Sequence, residues 1–149
     1  MTQIHSRPRR SCLYMPASNQ RALEKAKTLP ADTIIFDLED AVAPDAKAEA
    51  RRACVAAVSQ LAFEPRIAVR INDPETVDGR DDLMALTNLA VEALVIPKIG
   101  LASQISTLVA AVRPTIALWS MIETPAALLN LREIGQALRP GDGLMLGTN

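Results

Sequence analysis

Residues 34–44 read Ile-Ile-Phe-Asp-Leu-Glu-Asp-Ala-Val-Ala-Pro, and they carry the strongest strand signal in the chain. This stretch begins as an apolar run, typical of a strand that is buried on both faces. It ends in three carboxylates, those of Asp37, Glu39 and Asp40. On an extended chain, Asp37 and Glu39 share one face with Ile35. Two such acids repel each other unless a cation, a proton or water compensates them. The stretch therefore indicates either a functional acid cluster or a solvated strand end before a capped helix.

The same order of apolar run, polar corner and helical pattern recurs along the whole chain. The predicted strands are 12–15, 34–38, 67–71, 93–96, 116–122 and 144–146. The predicted helices are 20–29, 46–61, 81–89, 103–112 and 125–138. Six strands alternating with five helices predict a parallel sheet covered by helices. A doubly wound sheet is one such fold, but no glycine-rich phosphate fingerprint follows the first strand.

Charged and polar residues that could take part in catalysis or binding lie at the carboxyl ends of the predicted strands, as they do in a (β/α)8 TIM barrel. The strand ends are Met15-Pro16-Ala17, Glu39-Asp40, Arg70-Ile71-Asn72, Pro97-Lys98, Glu123-Thr124 and Gly147-Thr148-Asn149. We therefore predict an α/β fold, a TIM barrel of which this chain holds about the first six strands. Residues 1–149 are expected to form one incomplete barrel domain, with residues 1–10 as a disordered arm.

Composition excludes several classes of function. The 149 residues carry a net charge of −1, which gives no electrostatic basis for binding nucleic acid. No stretch approaches the roughly 18 apolar residues of a membrane span, and the basic start of the chain resembles neither a signal peptide nor an anchor. Cys12 and Cys54 lack metal-ligand spacing, so we expect buried, reduced thiols in a cytoplasmic protein.

Three acids, one arginine and one lysine at a common barrel mouth predict an anionic substrate held by a divalent cation. Carboxylate oxygens at this density suit Mg²⁺, or Mn²⁺. His5 is the only histidine and there is no cysteine pair, which argues against zinc.

Six motifs in order carry a resemblance to a known family. The chain resembles the citrate lyase β-subunit-like proteins of the HpcH/HpaI aldolase superfamily, which also includes malyl-CoA and citramalyl-CoA lyases. The resemblance extends from Arg10 to Asn149. The motifs are Arg-Ser-Cys-Leu-Tyr-Met-Pro-Ala at 10–17, Phe-Asp-Leu-Glu-Asp-Ala-Val at 36–42, Val-Arg-Ile-Asn at 69–72, Ile-Pro-Lys at 96–98, Ile-Glu-Thr at 122–124 and Gly-Thr-Asn at 147–149.

The resemblance implies a Mg²⁺-dependent carbon–carbon lyase with a TIM-barrel fold. Such an enzyme cleaves a 3-hydroxyacyl thioester of the citryl-, malyl- or citramalyl-CoA type into an acyl thioester and a 2-oxo acid. The thioester is carried by CoA or by an acyl-carrier protein. The resemblance also implies a homo-oligomer.

Residue by residue, the resemblance implies that Glu123 is a metal ligand that also lies against the substrate. It implies that Arg70 contacts substrate oxygens, and that Glu39 and Asp40 order water beside the metal and assist proton transfer. Residues 10–17 match the region that the CoA part approaches. The family's second metal ligand is an aspartate that would directly follow Asn149. The chain is thus expected to be either a segment of a longer protein or a truncated relative.

Other interpretations of the same residues remain open. Lys98 at a barrel strand end is compatible with a Schiff-base aldolase, although neighbouring acids favour its protonated form. Arg70 is also suited to a structural ion pair with Asp37, and Glu123 to the N-terminus of the helix after it. A non-catalytic assembly subunit, or a truncated remnant of the family, is the alternative to an enzyme.

Overall fold

The computed structural model describes residues 9–147. Six strands alternate with helices, and the bounds of the elements follow in chain order. They are β1 Cys12–Pro16, α1 Gln20–Ala26, β2 Thr33–Asp37, a 3₁₀ turn Pro44–Ala46, α2 Lys47–Gln60, β3 Arg66–Arg70, α3 Val77–Leu86, β4 Ala93–Ile96, α4 Ala102–Ala111, β5 Ala117–Ile122, α5 Pro125–Leu129, α6 Leu131–Ala137 and β6 Gly143–Leu146.

The sheet has the simplest parallel topology, because its spatial order β1-β2-β3-β4-β5-β6 is the chain order. Every neighbouring pair is parallel. Crossovers between parallel strands are right-handed, so connections that always step in one direction place all helices on one face of the sheet. This excludes the doubly wound alternative, which needs helices on both faces. The fold is a curled half-barrel of α/β type, as the sequence predicted.

Buried side chains divide into two clusters along the alternation of the strands. Phe36 and Leu38 belong to the larger cluster, between the sheet and the helices. Ile35 and Trp119 belong to the smaller one, on the opposite face of the sheet. That smaller cluster is the barrel interior, and it includes the small side chain of Ala68. Ile35 and Phe36 therefore face opposite sides of the sheet, as the alternation of side chains along a strand requires.

Helix boundaries follow local capping. Asn19 and Thr124 accept hydrogen bonds from the backbone of the first turns of α1 and α5. The third helix begins at Val77 rather than near residue 81, because the Thr76 side chain caps it. The predicted final helix is broken into α5 and α6 at Asn130, whose side chain donates to the carbonyl of Gly100 at 2.9 Å.

The amino-terminal end of the half-barrel is closed by ion pairs. Glu92 accepts hydrogen bonds from Arg66 at 2.6 Å, from Arg9 at 2.9 Å and from the Thr33 hydroxyl at 3.2 Å. The Arg9 guanidinium also lies 5.2 Å from the ring centroid of Trp119. This arrangement occupies the end of the half-barrel opposite the strand carboxyl ends.

Strands β1 and β6 form the two edges of the sheet. Cys12 is exposed on β1, so the prediction that both cysteines are buried is wrong for Cys12 and confirmed for Cys54. An edge strand lacks a neighbour that would cover its side chains. Residues 1–8 of the expected amino-terminal arm, including His5, lie outside the described residues. No helix within residues 9–147 is long and apolar enough to cross a membrane.

Two helical glycines give a matched test of this packing. A methyl group on Gly79 would meet the carbonyl oxygen of Asp73 at 2.0 Å, whereas one on Gly135 would meet nothing within 4 Å. We expect Gly79→Ala to lower the free energy of unfolding by about 2–3 kcal/mol, since the clash is with backbone. Gly135→Ala should raise it by about 0.5–1 kcal/mol. Urea denaturation measures both, and equal effects of the two changes would contradict the packing of α3.

Candidate functional site

A cleft of about 310 Å³ opens among the carboxyl ends of the strands. Its walls come from β1, β2, β3, β5 and β6, so distant parts of the chain meet in one place. Polar groups and apolar side chains share the lining, as in small-molecule sites generally. The lining residues are Tyr14, Asp37, Arg70, Met121, Glu123, Met145, Leu146 and Gly147.

The pair of Asp37 and Arg70 anchors this end of the sheet. The two residues are direct partners in the register of β2 and β3, and both are buried. Arg70 donates from Nε to Asp37 Oδ1 at 2.8 Å and from Nη2 to Oδ2, which makes the pair bidentate. The same carboxylate accepts from the backbone N–H groups of Glu39 at 2.9 Å and Ala41 at 3.2 Å. Asp37 therefore fixes both the arginine and the turn after β2.

The third nitrogen of Arg70 faces the predicted acidic pair. Its Nη1 lies 3.3 Å from Glu39 Oε2 and 3.2 Å from Asp40 Oδ2. The guanidinium carbon also lies 5.1 Å from the centroid of the Tyr14 ring, within cation–π range. Burial by itself lowers the pKa of Arg70, but the hydrogen bond to Asp37 and the charges of Glu39 and Asp40 raise it above its ordinary value. Arg70 is thus a permanent cation at the cleft.

Lys98 links two predicted site acids. Its Nζ lies 3.2 Å from Glu39 Oε1, and its backbone N–H donates to Glu123 Oε1 at 2.7 Å. The hydrogen bond to Glu39 raises the pKa of Lys98, with further support from the charges of Asp73 and Asp40. A Schiff-base nucleophile must be a neutral amine, so this environment opposes the Schiff-base alternative. Burial raises the pKa of the Glu39 carboxyl, and the Lys98 and Arg70 cations oppose that rise.

Glu123 follows β5 and lines the cleft directly. Thr124 caps the helix after it, with Pro125 in the first position, so Glu123 is not needed as the cap. A Cβ on Gly147 would lie 2.5 Å from Glu123 Cβ and 2.9 Å from its Oε2. Glycine at 147 is therefore the residue that leaves room for the Glu123 side chain. Of the sequence motif 147–149, Thr148 and Asn149 lie outside the described residues.

A buried polar network supports the acidic turn from behind, and sequence reasoning missed it. The Lys47 ammonium donates to the carbonyls of Leu38 and Glu39 at 3.1 and 3.0 Å, and to Asn72 Oδ1 at 2.6 Å. Asn72 donates in turn to the carboxylate of Asp82, from its backbone at 2.9 Å and its side chain at 2.8 Å. Asn72 was visible as a strand-end residue, but no local pattern pointed to Lys47 or Asp82.

The structure thus brings all the sequence-predicted site residues into one connected cluster. Asp40 and Glu39 contact Arg70, Glu39 contacts Lys98, and Lys98 contacts Glu123. Sequence reasoning did not single out Tyr14, which lies on edge strand β1 within the cleft lining. Across residues 9–147, no three His, Cys, Asp or Glu side chains are grouped so as to hold a metal ion. The role of Glu123 as a metal ligand stays a prediction.

A helix-covered parallel half-barrel with charged residues at its strand carboxyl ends defines the class of β/α-barrel proteins whose sites lie at that end. The chain belongs to the HpcH/HpaI aldolase/citrate lyase family, whose profile matches residues 10–149. This confirms the resemblance drawn from the six sequence motifs.

Individual relatives differ in the activity that their names state. The chain is 45% identical over 143 residues to a (3S)-malyl-CoA thioesterase of Cereibacter sphaeroides, covering 95% of this chain and 50% of that protein. It is 31% identical over 155 residues to an L-malyl-CoA/beta-methylmalyl-CoA lyase of the same species, covering 95% and 49%. The chain therefore spans about half the length of the curated relatives it matches.

Solved structures agree with the fold. The chain superposes with a TM-score of 0.76 and 31% identity on the protein CitE from Mycobacterium tuberculosis, solved in complex with magnesium, acetoacetate and coenzyme A. The match covers 94% of this chain and 50% of that one. A structural relative with the same fold thus contains bound magnesium.

The buried pair of Asp37 and Arg70 gives a stability prediction. Arg70→Met leaves the buried Asp37 carboxylate without its cation and removes one cation from beside Glu39 and Asp40. We therefore expect the free energy of unfolding to fall by about 3–5 kcal/mol. Arg132→Met, on the exposed face of α6, should change it by less than about 0.5 kcal/mol. Denaturant titration of both variants makes the comparison, and a loss below about 1 kcal/mol for Arg70→Met would contradict the anchoring role.

Proposed function

We propose that this chain supplies a magnesium-dependent active site that acts on a malyl-type CoA thioester. The observation that carries the proposal is the cleft itself, where the fixed cation Arg70 and the carboxylate Glu123 line the same space. A volume of about 310 Å³ suits the short acyl part of a thioester. The CoA portion would extend out of the cleft past residues 10–17. Family membership and the malyl-CoA names of two relatives support the choice of substrate.

The residues at the cleft fit a magnesium ion in chemical type. Glu123 offers a carboxylate oxygen, and Mg²⁺ is commonly held by one or two carboxylates with water and substrate completing its shell. Among the described residues that line the cleft there is no histidine or cysteine. Magnesium, when bound, supplies Lewis-acid polarisation and alignment of substrate oxygens. The second protein ligand that the family resemblance implies would follow Asn149.

Arg70 is the anion-binding residue of this proposal. Asp37 holds the guanidinium plane, which leaves Nη1 as the nitrogen that can change partners. Its contact with Asp40 is the exchangeable one, because the Asp40 side chain is 62% exposed whereas that of Glu39 is 8% exposed. A substrate carboxylate or carbonyl oxygen would take the place of Asp40. Arg70 would then stabilise negative charge as it develops on that oxygen.

Glu39 is the proton-transfer residue of this proposal, with Asp40 beside it. Burial moves the pKa of the Glu39 carboxyl upward, toward the working pH of a general acid or base. The Lys98 and Arg70 cations on either side favour its charged form. Glu39 is therefore suited to accept a proton and return it within one reaction.

Two reactions of the same thioester are open to this site. In carbon–carbon cleavage, a base takes the hydroxyl proton and the bond to the carbon beside the thioester breaks. The products are glyoxylate and an acetyl thioester enolate, which takes up a proton. In hydrolysis, water adds to the thioester carbonyl, the carbon–sulfur bond breaks and CoA leaves as the thiol. The lyase is supported by the family description, and hydrolysis by the 45% identity to a thioesterase.

Product analysis separates the two reactions. The natural protein is incubated with malyl-CoA, with Mg²⁺ or with EDTA, and the products are identified by mass spectrometry. Acetyl-CoA with glyoxylate marks the lyase, whereas free CoA with malate marks the thioesterase. We expect one of the two product sets, and we expect EDTA to abolish it. No turnover of malyl-CoA with Mg²⁺, and none when citramalyl- or citryl-CoA replaces it, would contradict the proposal and favour a non-catalytic subunit.

Glu123→Gln tests the site within that assay. The amide keeps the shape of the side chain but loses the negative charge that a cation requires, so kcat should fall at least about 100-fold. Glu133→Gln, an exposed change on α6, is the matched control and should retain activity. Turnover near the wild-type rate in Glu123→Gln would contradict the assignment of Glu123.

Gly147→Ala tests the room that Glu123 needs. The added methyl group would displace the Glu123 side chain, so we expect kcat to fall about 10–100-fold. Gly143→Ala is the control, because its methyl group would meet Trp119 only at an ordinary 3.5 Å. Steady-state kinetics measure both variants, and equal activities would show that Glu123 does not depend on Gly147.

A further inference from the structure

Lys98 has a backbone conformation that its side chain disfavours. Its φ is +55°, and within residues 9–147 no other non-glycine residue has a positive φ. Residues with a Cβ avoid this left-handed region because the side chain crowds the backbone. Such conformations persist when surrounding structure imposes them, and they concentrate at functional sites. The residue after Pro97 is thus a lysine at a position where glycine would fit the backbone better.

The strained conformation serves two contacts at once. The backbone N–H of Lys98 donates to Glu123 Oε1 at 2.7 Å, and the ammonium lies 3.2 Å from Glu39 Oε1. Glu123 follows β5 and Glu39 follows β2, so one residue after β4 reaches across the mouth to both. Glycine would keep the N–H but remove the ammonium. With the N–H held on Glu123, rotation about the N–Cα bond to an unstrained φ would turn the Lys98 side chain away from its present direction toward Glu39.

Stability does not account for keeping the lysine. The Lys98 side chain is 54% exposed, and ion pairs with an exposed partner contribute little to folding. The pair therefore does not offset the strain of the backbone. The strained conformation is explained instead if its role is to hold the carboxylates of Glu39 and Glu123 in a fixed arrangement.

We propose that Lys98 is a positioning residue, whose backbone orients Glu123 and whose ammonium orients Glu39. We call this arrangement of Glu39, Lys98 and Glu123 the Lys98 bridge. The catalytic role of the two carboxylates rests on the proposed function, but the geometry of the Lys98 bridge can be tested without substrate. Lys98 acts through the acids it holds and forms no covalent bond to the substrate.

The first test of the Lys98 bridge reads the hydrogen bond directly. The natural protein is labelled with ¹⁵N-lysine, and the Lys98 amide resonance is assigned by its loss in Lys98→Arg. A hydrogen bond to a carboxylate moves the amide proton downfield. We expect Glu123→Gln to move it upfield and Glu133→Gln to leave it in place. A resonance that does not respond to Glu123→Gln would overturn the backbone half of the bridge.

The second test separates positioning from mere structure. Lys98→Met removes the ammonium but keeps the aliphatic stem, and we expect kcat to fall about 10–100-fold with KM changed less than about threefold. Lys98→Arg restores a cation and should recover most of that loss. Lys98→Gly relieves the strain, so its Tm should be no lower than that of Lys98→Met, while its kcat is no higher. A Lys98→Met kcat within twofold of wild type, or a kcat loss that follows Tm across the three variants, would overturn the ammonium half.

The two tests distinguish this inference from the proposed function. If the natural protein turns over no malyl-type thioester, the proposed function fails, yet the amide response still decides whether Lys98 holds Glu123. If the protein is active, but the Lys98 amide shift does not respond to Glu123→Gln and Lys98→Met keeps the wild-type kcat, the Lys98 bridge is wrong and the proposed function stands.

Discussion

The bidentate pair of Asp37 and Arg70 is the interaction on which the rest of the site depends. It joins β2 to β3 in register, and it fixes the turn that carries Glu39 and Asp40 through two backbone hydrogen bonds. Because the pair is buried, losing Arg70 leaves the Asp37 carboxylate without a compensating charge. The cost of burial is offset only while the geometry is kept, so the same pair that stabilises the sheet also orients the site.

The half-barrel assigns different tasks to its two ends. At the amino-terminal end, Glu92 is saturated by Arg66, Arg9 and Thr33, and the ring of Trp119 lies against Arg9. At the carboxyl-terminal end, the Arg70 guanidinium contacts Asp40, whose side chain is largely exposed to solvent. This division is the one expected of β/α barrels, in which one end serves stability and the other serves chemistry.

Much of the fold followed from the sequence because its signals are local. The apolar run 34–38 predicted a strand that the structure places at Thr33–Asp37. Helix caps such as Asn19 and Thr124 likewise act within a few residues of the chain. Strand-end reasoning also brought Glu39, Arg70 and Glu123 to one mouth. The positive φ of Lys98, the Lys47 network and the place of Tyr14 could not be predicted, since each depends on contacts between residues distant in the chain. The edge position of β1 likewise exposes Cys12, which apolar neighbours in sequence suggested was buried.

In the proposed active site, Glu123 and Arg70 face one bound substrate, and this arrangement can be observed. Crystals of the natural protein are soaked with Mn²⁺ and oxaloacetate, and anomalous scattering is measured at the manganese edge. We expect an anomalous peak at coordination distance from the Glu123 carboxylate, with an oxygen of the 2-oxo acid against Arg70 Nη1 in place of Asp40. A peak remote from Glu123, or a 2-oxo acid bound away from Arg70, would contradict this arrangement.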